Sequence, residues 1–147
     1  MKYKKITAWV LFVFWLILIF YFSNQPGSVS SDLSNNVLKT ILNNLAVSNF
    51  NILVSILRKL AHFTEYFILS ILTLNLLKQY RKVEAWEFML VMLFCFFYAC
   101  TDEFHQLFVE NRGSSFLDVL LDYTGSLLYL TLKITTVEKT DKIKTCP

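Results

Sequence analysis

The sequence predicts an all-α membrane protein: a four-helix transmembrane bundle with an amphipathic helix in its first extracytoplasmic loop. Three observations predict it. Apolar residues make up 55% of the 147 residues and aromatic residues 16%, including 14 phenylalanines, more than a soluble domain carries. There are only 3 glycines and 2 prolines, too few breakers for a β-barrel or a disordered chain. The apolar residues also gather into four segments, at 6–22, 60–77, 86–100 and 116–134. The length fits a single domain spanning residues 1–147.

The first segment carries no charge across 17 residues, about 25 Å at helical rise and enough to cross a bilayer. Lys2, Lys4 and Lys5 before it give it the basic start of a signal peptide. Phenylalanine, tryptophan and tyrosine fill its end, where a cleavage site needs small residues. It therefore reads as an uncleaved anchor.

A long outer loop follows, opening with the turn sequence Ser23-Asn-Gln-Pro-Gly-Ser, in which Pro26 and Gly27 stop the first helix. Leu33, Val37, Leu38, Ile41, Leu42 and Leu45 then recur at helical spacing against serine, asparagine and lysine. This pattern predicts an amphipathic helix lying on the outer membrane interface, with Ser31 or Asp32 as its cap. The apolar patch 52–57 is expected to extend the second membrane helix outward. The second and fourth segments contain charges and are assigned on length and flanks as well as hydropathy. From Thr135 the chain reads as a polar, disordered cytoplasmic tail.

Four crossings place both termini on one side, and basic residues choose it. With the termini in the cytoplasm, 10 of the 14 basic residues fall inside; Lys39, Arg58, Lys59 and Arg112 fall outside. Seven of the 11 acidic residues fall at the outer side. The acidic outer end favours a cation, a metal or an amine, and takes a phosphate only through Arg58, Lys59, Arg112 or a bound metal. The basicity of the chain follows from topology. No basic stripe interleaved with aromatics marks a nucleic-acid partner. Cys95, Cys100 and Cys146 have no CxxC or Cys/His spacing, so they read as small hydrophobes and an idle tail thiol.

Residues 98–112 hold the densest polar set, Asp102, Glu103, His105, Gln106 and Arg112, directly after an apolar run. On a helix, Asp102, His105 and Gln106 share one face, so Asp102 is placed to bond or co-ligate with His105, while Glu103 points elsewhere. On the second segment, Arg58, His62 and Glu65 share a face beside Lys59. On the fourth, Asp118 and Asp122 stand one turn apart, followed by Gly125 and Ser126. Counted from Lys78, Glu65 lies roughly 20 Å up the helix, in the outer third of the membrane. Three polar faces thus meet at one depth. Facing lipid, each group costs several kcal/mol; facing one another, they are satisfied. Gly125 and Ser126 are expected to let the helices approach closely beside them.

The strings Arg58-Lys-Leu-Ala-His62-Phe-Thr-Glu65-Tyr66, Thr101-Asp-Glu-Phe-His105-Gln106, Arg112 and Asp118-Val-Leu-Leu-Asp122-Tyr-Thr-Gly125 resemble the VanZ-like family. Ser23-Asn-Gln-Pro-Gly is similar to that family's motif after its first helix, with Asn24 where serine is expected. The resemblance covers about residues 22–128. It implies a small multi-pass protein of a bacterial cytoplasmic membrane. It also implies an association with reduced susceptibility to lipoglycopeptides such as teicoplanin.

Three readings of the polar set stand open. In the first, His62, Glu65, Asp102, His105 and Asp122 form an acid–base site. Arg58, Lys59, Gln106, Arg112 and Asp118 then bind an envelope lipid or peptidoglycan precursor. A metal variant uses His62, Glu65, Asp102, His105, Asp118 and Asp122 as nitrogen and oxygen ligands for zinc, manganese or iron, although no HExxH is present. In the second, the acidic outer face and amphipathic helix bind or shield a surface component. In the third, Arg58–Glu65, His62–Asp102 and Arg112–Asp118 pair off and pin the helices together. Glu103 and Glu110 read as solvated.

Overall fold

The computed structural model describes residues 2–41 and 50–145, with side chains placed through residue 136. Five helices follow in order: α1 (Lys2–Ser23), α2 (Gly27–Ile41), α3 (Phe50–Lys78), α4 (Ala85–Gln106) and α5 (Phe116–Thr145). There are no strands among the described residues.

Helix α1 is apolar all round. It buries Ala8, Phe12 and Ile19 and turns Val10, Val13, Phe14 and Ile17 outward, the pattern of a helix whose solvent is itself apolar. Among the described residues, α1, α3 and α4 are long and apolar enough to cross a membrane. Helix α5 is as long, but carries Asp118 and Asp122 in its first turns and is not in that group.

The packing fixes the directions. Helix α1 runs antiparallel to α3, because Trp9 Nε1 donates to Tyr80 Oη (2.7 Å) at one end and Trp15 Nε1 to the Glu65 carbonyl (3.0 Å) further along. It runs parallel to α4, with Phe12 against Phe94 (5.7 Å between ring centroids) and Tyr98 Oη donating to the Leu16 carbonyl (3.0 Å). Helices α3 and α5 are parallel and the most closely applied. A Cβ added to Gly125 would overlap the Phe63 carbonyl. One residue on, Ser126 Oγ donates to the Tyr66 carbonyl (3.1 Å), and Tyr129 packs edge-on against Phe67. The approach expected at Gly125 and Ser126 is therefore present. Tyr66, Leu69, Leu74, Val91, Cys95 and Leu130 fill the centre.

Several boundaries differ from expectation. Helix α2 begins at Gly27, not at a Ser31 or Asp32 cap. Proline has a fixed φ and no N–H to satisfy, so it suits a helix start. The Pro26 carbonyl accepts the first bond, from Ser30 N (3.1 Å). Ser31 Oγ instead donates back to the Gly27 carbonyl (2.8 Å). The Leu42 and Leu45 positions of the amphipathic pattern lie outside the described residues. Helix α3 starts at Phe50, so the 52–57 patch does extend it. Helix α4 continues beyond residue 100 to Gln106, carrying the polar stretch as helix. Helix α5 continues to Thr145, through the segment read as a disordered tail. Residues 135–145 contain no glycine or proline, so nothing in them breaks the helix.

Gly27 is required by a close approach. Its N–H donates to the Glu110 carbonyl (3.1 Å), and a Cβ there would overlap the Asn111 carbonyl. Asn111 itself has φ +54°, which asparagine tolerates. Gly27→Ala is expected to destabilise the protein by about 1–3 kcal/mol, read as a lower unfolding temperature in detergent. An unchanged temperature would mean that the 107–115 loop does not rest on the start of α2.

Candidate functional site

The site is assembled at one end of the helices. It takes Ser23 from the end of α1, His62 from α3, Asp102 and Gln106 from the last turns of α4, Asp122 from the second turn of α5, and Arg112 from the 107–115 loop. The last carbonyls of helix α1 have no donor within the helix, and among backbone donors the Phe22 carbonyl accepts only from the Gln25 N–H just beyond it (3.3 Å). Arg112 Nη1 donates to three carbonyls there, those of Phe22 (2.7 Å), Ser23 (2.7 Å) and Gln25 (3.2 Å). A cation at a helix C-terminus is also favoured by the helix dipole. Burial lowers the Arg112 pKa and the Asp102 charge opposes that shift; a guanidinium starts so high that it stays charged.

The second Arg112 nitrogen, Nη2, lies 3.2 Å from His62 Nε2. A guanidinium only donates, so Nε2 is the acceptor and the neutral ring carries its proton on Nδ1. That edge faces Asp122 Oδ1 at 3.7 Å, within ion-pair range but long for a hydrogen bond. Asp122 is 0% exposed, and neither of its oxygens nor His62 Nδ1 has a hydrogen-bond partner. Asp102, also buried, accepts from Gln106 Nε2 (3.2 Å), which contacts Ser23 Oγ as well (3.3 Å). One ligand atom from each of His62, Asp102 and Asp122 lies within 4.8 Å of the others.

Two cavities adjoin this set and share Arg58, His62 and Arg112. The first, about 150 Å³, is walled by polar groups including Lys59, Gln106 and Asp118. The second, about 240 Å³, runs between α2 and α3 and adds Phe22, Leu33, Ala61 and Glu65. The arrangement offers two chemistries, cationic groups that can hold an anion and a buried carboxylate–imidazole set that can hold a cation.

A model of the VanZ/LLP1 family matches residues 8–135. The chain belongs to that family. No curated protein and no solved structure matches it.

Within this VanZ/LLP1 chain the predicted residues separate. His62, Asp102, Asp122, Gln106 and Arg112 converge. Glu65 is half-buried on the second cavity, a turn from His62. His105 does not join them. It stacks against Phe20 (4.9 Å between centroids), with Nε2 3.1 Å from Asn24 Oδ1. The i, i+4 neighbour Gln106 takes the place at Asp102 that the i, i+3 spacing had offered to His105. Asp118 pairs with Lys59 (3.5 Å) rather than with Arg112, because Arg112 is turned onto α1. Among the described residues no Arg58–Glu65 or His62–Asp102 ion pair forms. Glu103 is the opposite of solvated: it is buried and accepts the Ser115 backbone N–H (3.0 Å), capping the entry to α5. Tyr66, fully buried with its hydroxyl unpartnered, was not singled out. Its one signal was its place directly after Glu65 in a polar string.

Proposed function

We propose that this VanZ/LLP1 protein crosses the bacterial cytoplasmic membrane four times, with α5 as the fourth span and both termini in the cytoplasm. There it binds the anionic head group of an amphiphile in the outer leaflet, an envelope lipid or a lipid-linked peptidoglycan precursor. One observation carries the reading: Arg58, His62 and Arg112 are common to a polar cavity and to a more apolar one that opens between α2 and α3. An anionic head with an attached chain suits that pair of spaces; a soluble anion would leave the apolar one empty. Arginine is the residue suited to forked contact with phosphate or carboxylate oxygens. Helix α2 turns Val29, Leu33, Val37 and Ile41 outward, which suits a helix lying in the interface. Occupancy of such a precursor would lower susceptibility to teicoplanin by making the drug's target less accessible.

Arg58 tests this without touching the buried network, since it is half-exposed at the shared wall. Wild type and Arg58→Gln are expressed at matched levels in a teicoplanin-susceptible Gram-positive host. Wild type should raise the inhibitory concentration at least fourfold and Arg58→Gln should remove the gain, with unfolding temperatures equal. Full protection by Arg58→Gln, or none by wild type, would overturn the reading.

A second reading, a purely structural polar network, has its own observation in the three Arg112 bonds to carbonyls at and just beyond the end of α1. It predicts that Arg58→Gln changes nothing.

A further inference from the structure

We infer that His62, Asp102 and Asp122 form a binding site for one divalent transition-metal ion, and this does not rest on the head-group reading. The three residues come from three different helices and bring one nitrogen and two carboxylates to one point. Clusters of this kind are common without an ion, so the decisive feature is what is left unpaired. Asp122 is wholly enclosed, yet neither oxygen accepts a hydrogen bond, and the His62 nitrogen facing it is unpartnered too. A buried carboxylate without donors is costly. The near groups add more negative charge, with Glu65 on α3, while Arg112 supplies one positive charge already engaged by α1 carbonyls. A dication at the cluster cancels the two aspartates together.

Geometry and ligand type narrow the ion. Bonds of about 2.0–2.1 Å in a tetrahedral site set neighbouring ligand atoms roughly 3.3 Å apart. His62 Nδ1 and Asp122 Oδ1 stand at 3.7 Å, and one ring nitrogen of His62 and one oxygen of each aspartate lie within 4.8 Å of one another. Side-chain adjustment of about 1.5 Å or less closes it. Imidazole with carboxylates suits zinc, manganese or iron; magnesium and calcium prefer oxygen alone. Three protein ligands leave a fourth position open. Binding also requires a rearrangement. With the ion on Nδ1, the His62 proton moves to Nε2, which can no longer accept from Arg112. Arg112 Nη2 then turns away while its Nη1 bonds to α1 persist.

The test uses untagged protein in detergent, stripped with chelator, in a Cys100→Ser/Cys146→Ser background so that thiolates are not read. Cobalt(II) serves as a visible probe. Wild type should bind one equivalent, develop a d–d band and lose it to zinc. His62→Gln and Asp122→Asn should each weaken cobalt binding at least tenfold, whereas His105→Gln, which lies outside the cluster, should bind as wild type does. If Asp122→Asn fails to accumulate, Asp102→Asn takes its place, with helical circular dichroism as the folding control. The site is refuted if wild type binds no cobalt, if binding survives in both His62→Gln and the aspartate variant, or if His105→Gln loses it equally.

Discussion

Gly125→Leu is expected to yield no folded protein, and Gly125→Ala to lose about 3 kcal/mol or more. A Cβ on Gly125 would run into the Phe63 carbonyl, with the Phe67 backbone nitrogen close behind it. A side-chain obstacle can swing aside, but a helix carbonyl cannot, so the whole of α5 must move off α3. Ordinary overpacking costs about 1–3 kcal/mol; displacement here would also break the Ser126–Tyr66 bond and the Lys59–Asp118 pair. For a chain of this size the alanine variant should unfold roughly 10 °C lower, measured by thermal unfolding in detergent. An unchanged value would mean that α3 and α5 are not in backbone contact at this level.

Arg112→Ala is expected to be the most damaging single change outside the helices, by about 3–5 kcal/mol. Hydrogen bonds from charged donors are each worth about 1.5–3 kcal/mol, and Arg112 makes three to carbonyls and one to His62. Removing it leaves the Ser23 and Gln25 carbonyls without a donor and takes away a positive charge that interacts with buried Asp102. Arg112→Lys keeps the charge but not the fork, so it should recover less than half of the loss. Lysine matching arginine in unfolding temperature would show that charge alone matters there. Lys59→Ala is the contrast: that ion pair is half in solvent, and its loss should stay below about 1 kcal/mol.

Much of this architecture was legible in the residues, for reasons that can be stated. An uninterrupted apolar run leaves a helix no choice of solvent, so α1 and the body of α4 could be found by composition, while α3, which carries His62 and Glu65, needed its length and flanks as well. Gly125 and Ser126 announced a close crossing because small residues beside buried charge have few other uses. The individual pairings were less legible. Helical spacing places Asp102 beside both His105 and Gln106, and only the position of α1 decides that Gln106 turns inward to Ser23 while His105 turns to Phe20. The Arg112 attachment joins residues 90 positions apart, beyond any local pattern. Glu103 read as solvated because its acceptor role depends on where the 107–115 loop returns. The end of α5 was misjudged because polar composition argues for exposure, not against helix.

The attachment of Arg112 also has a consequence for how the chain is made. Translation delivers α1 first, and its last carbonyls have no side-chain donor until residue 112 has been synthesised and returned to that end. The end of α1 therefore stays incomplete until α4 and the 107–115 loop have followed.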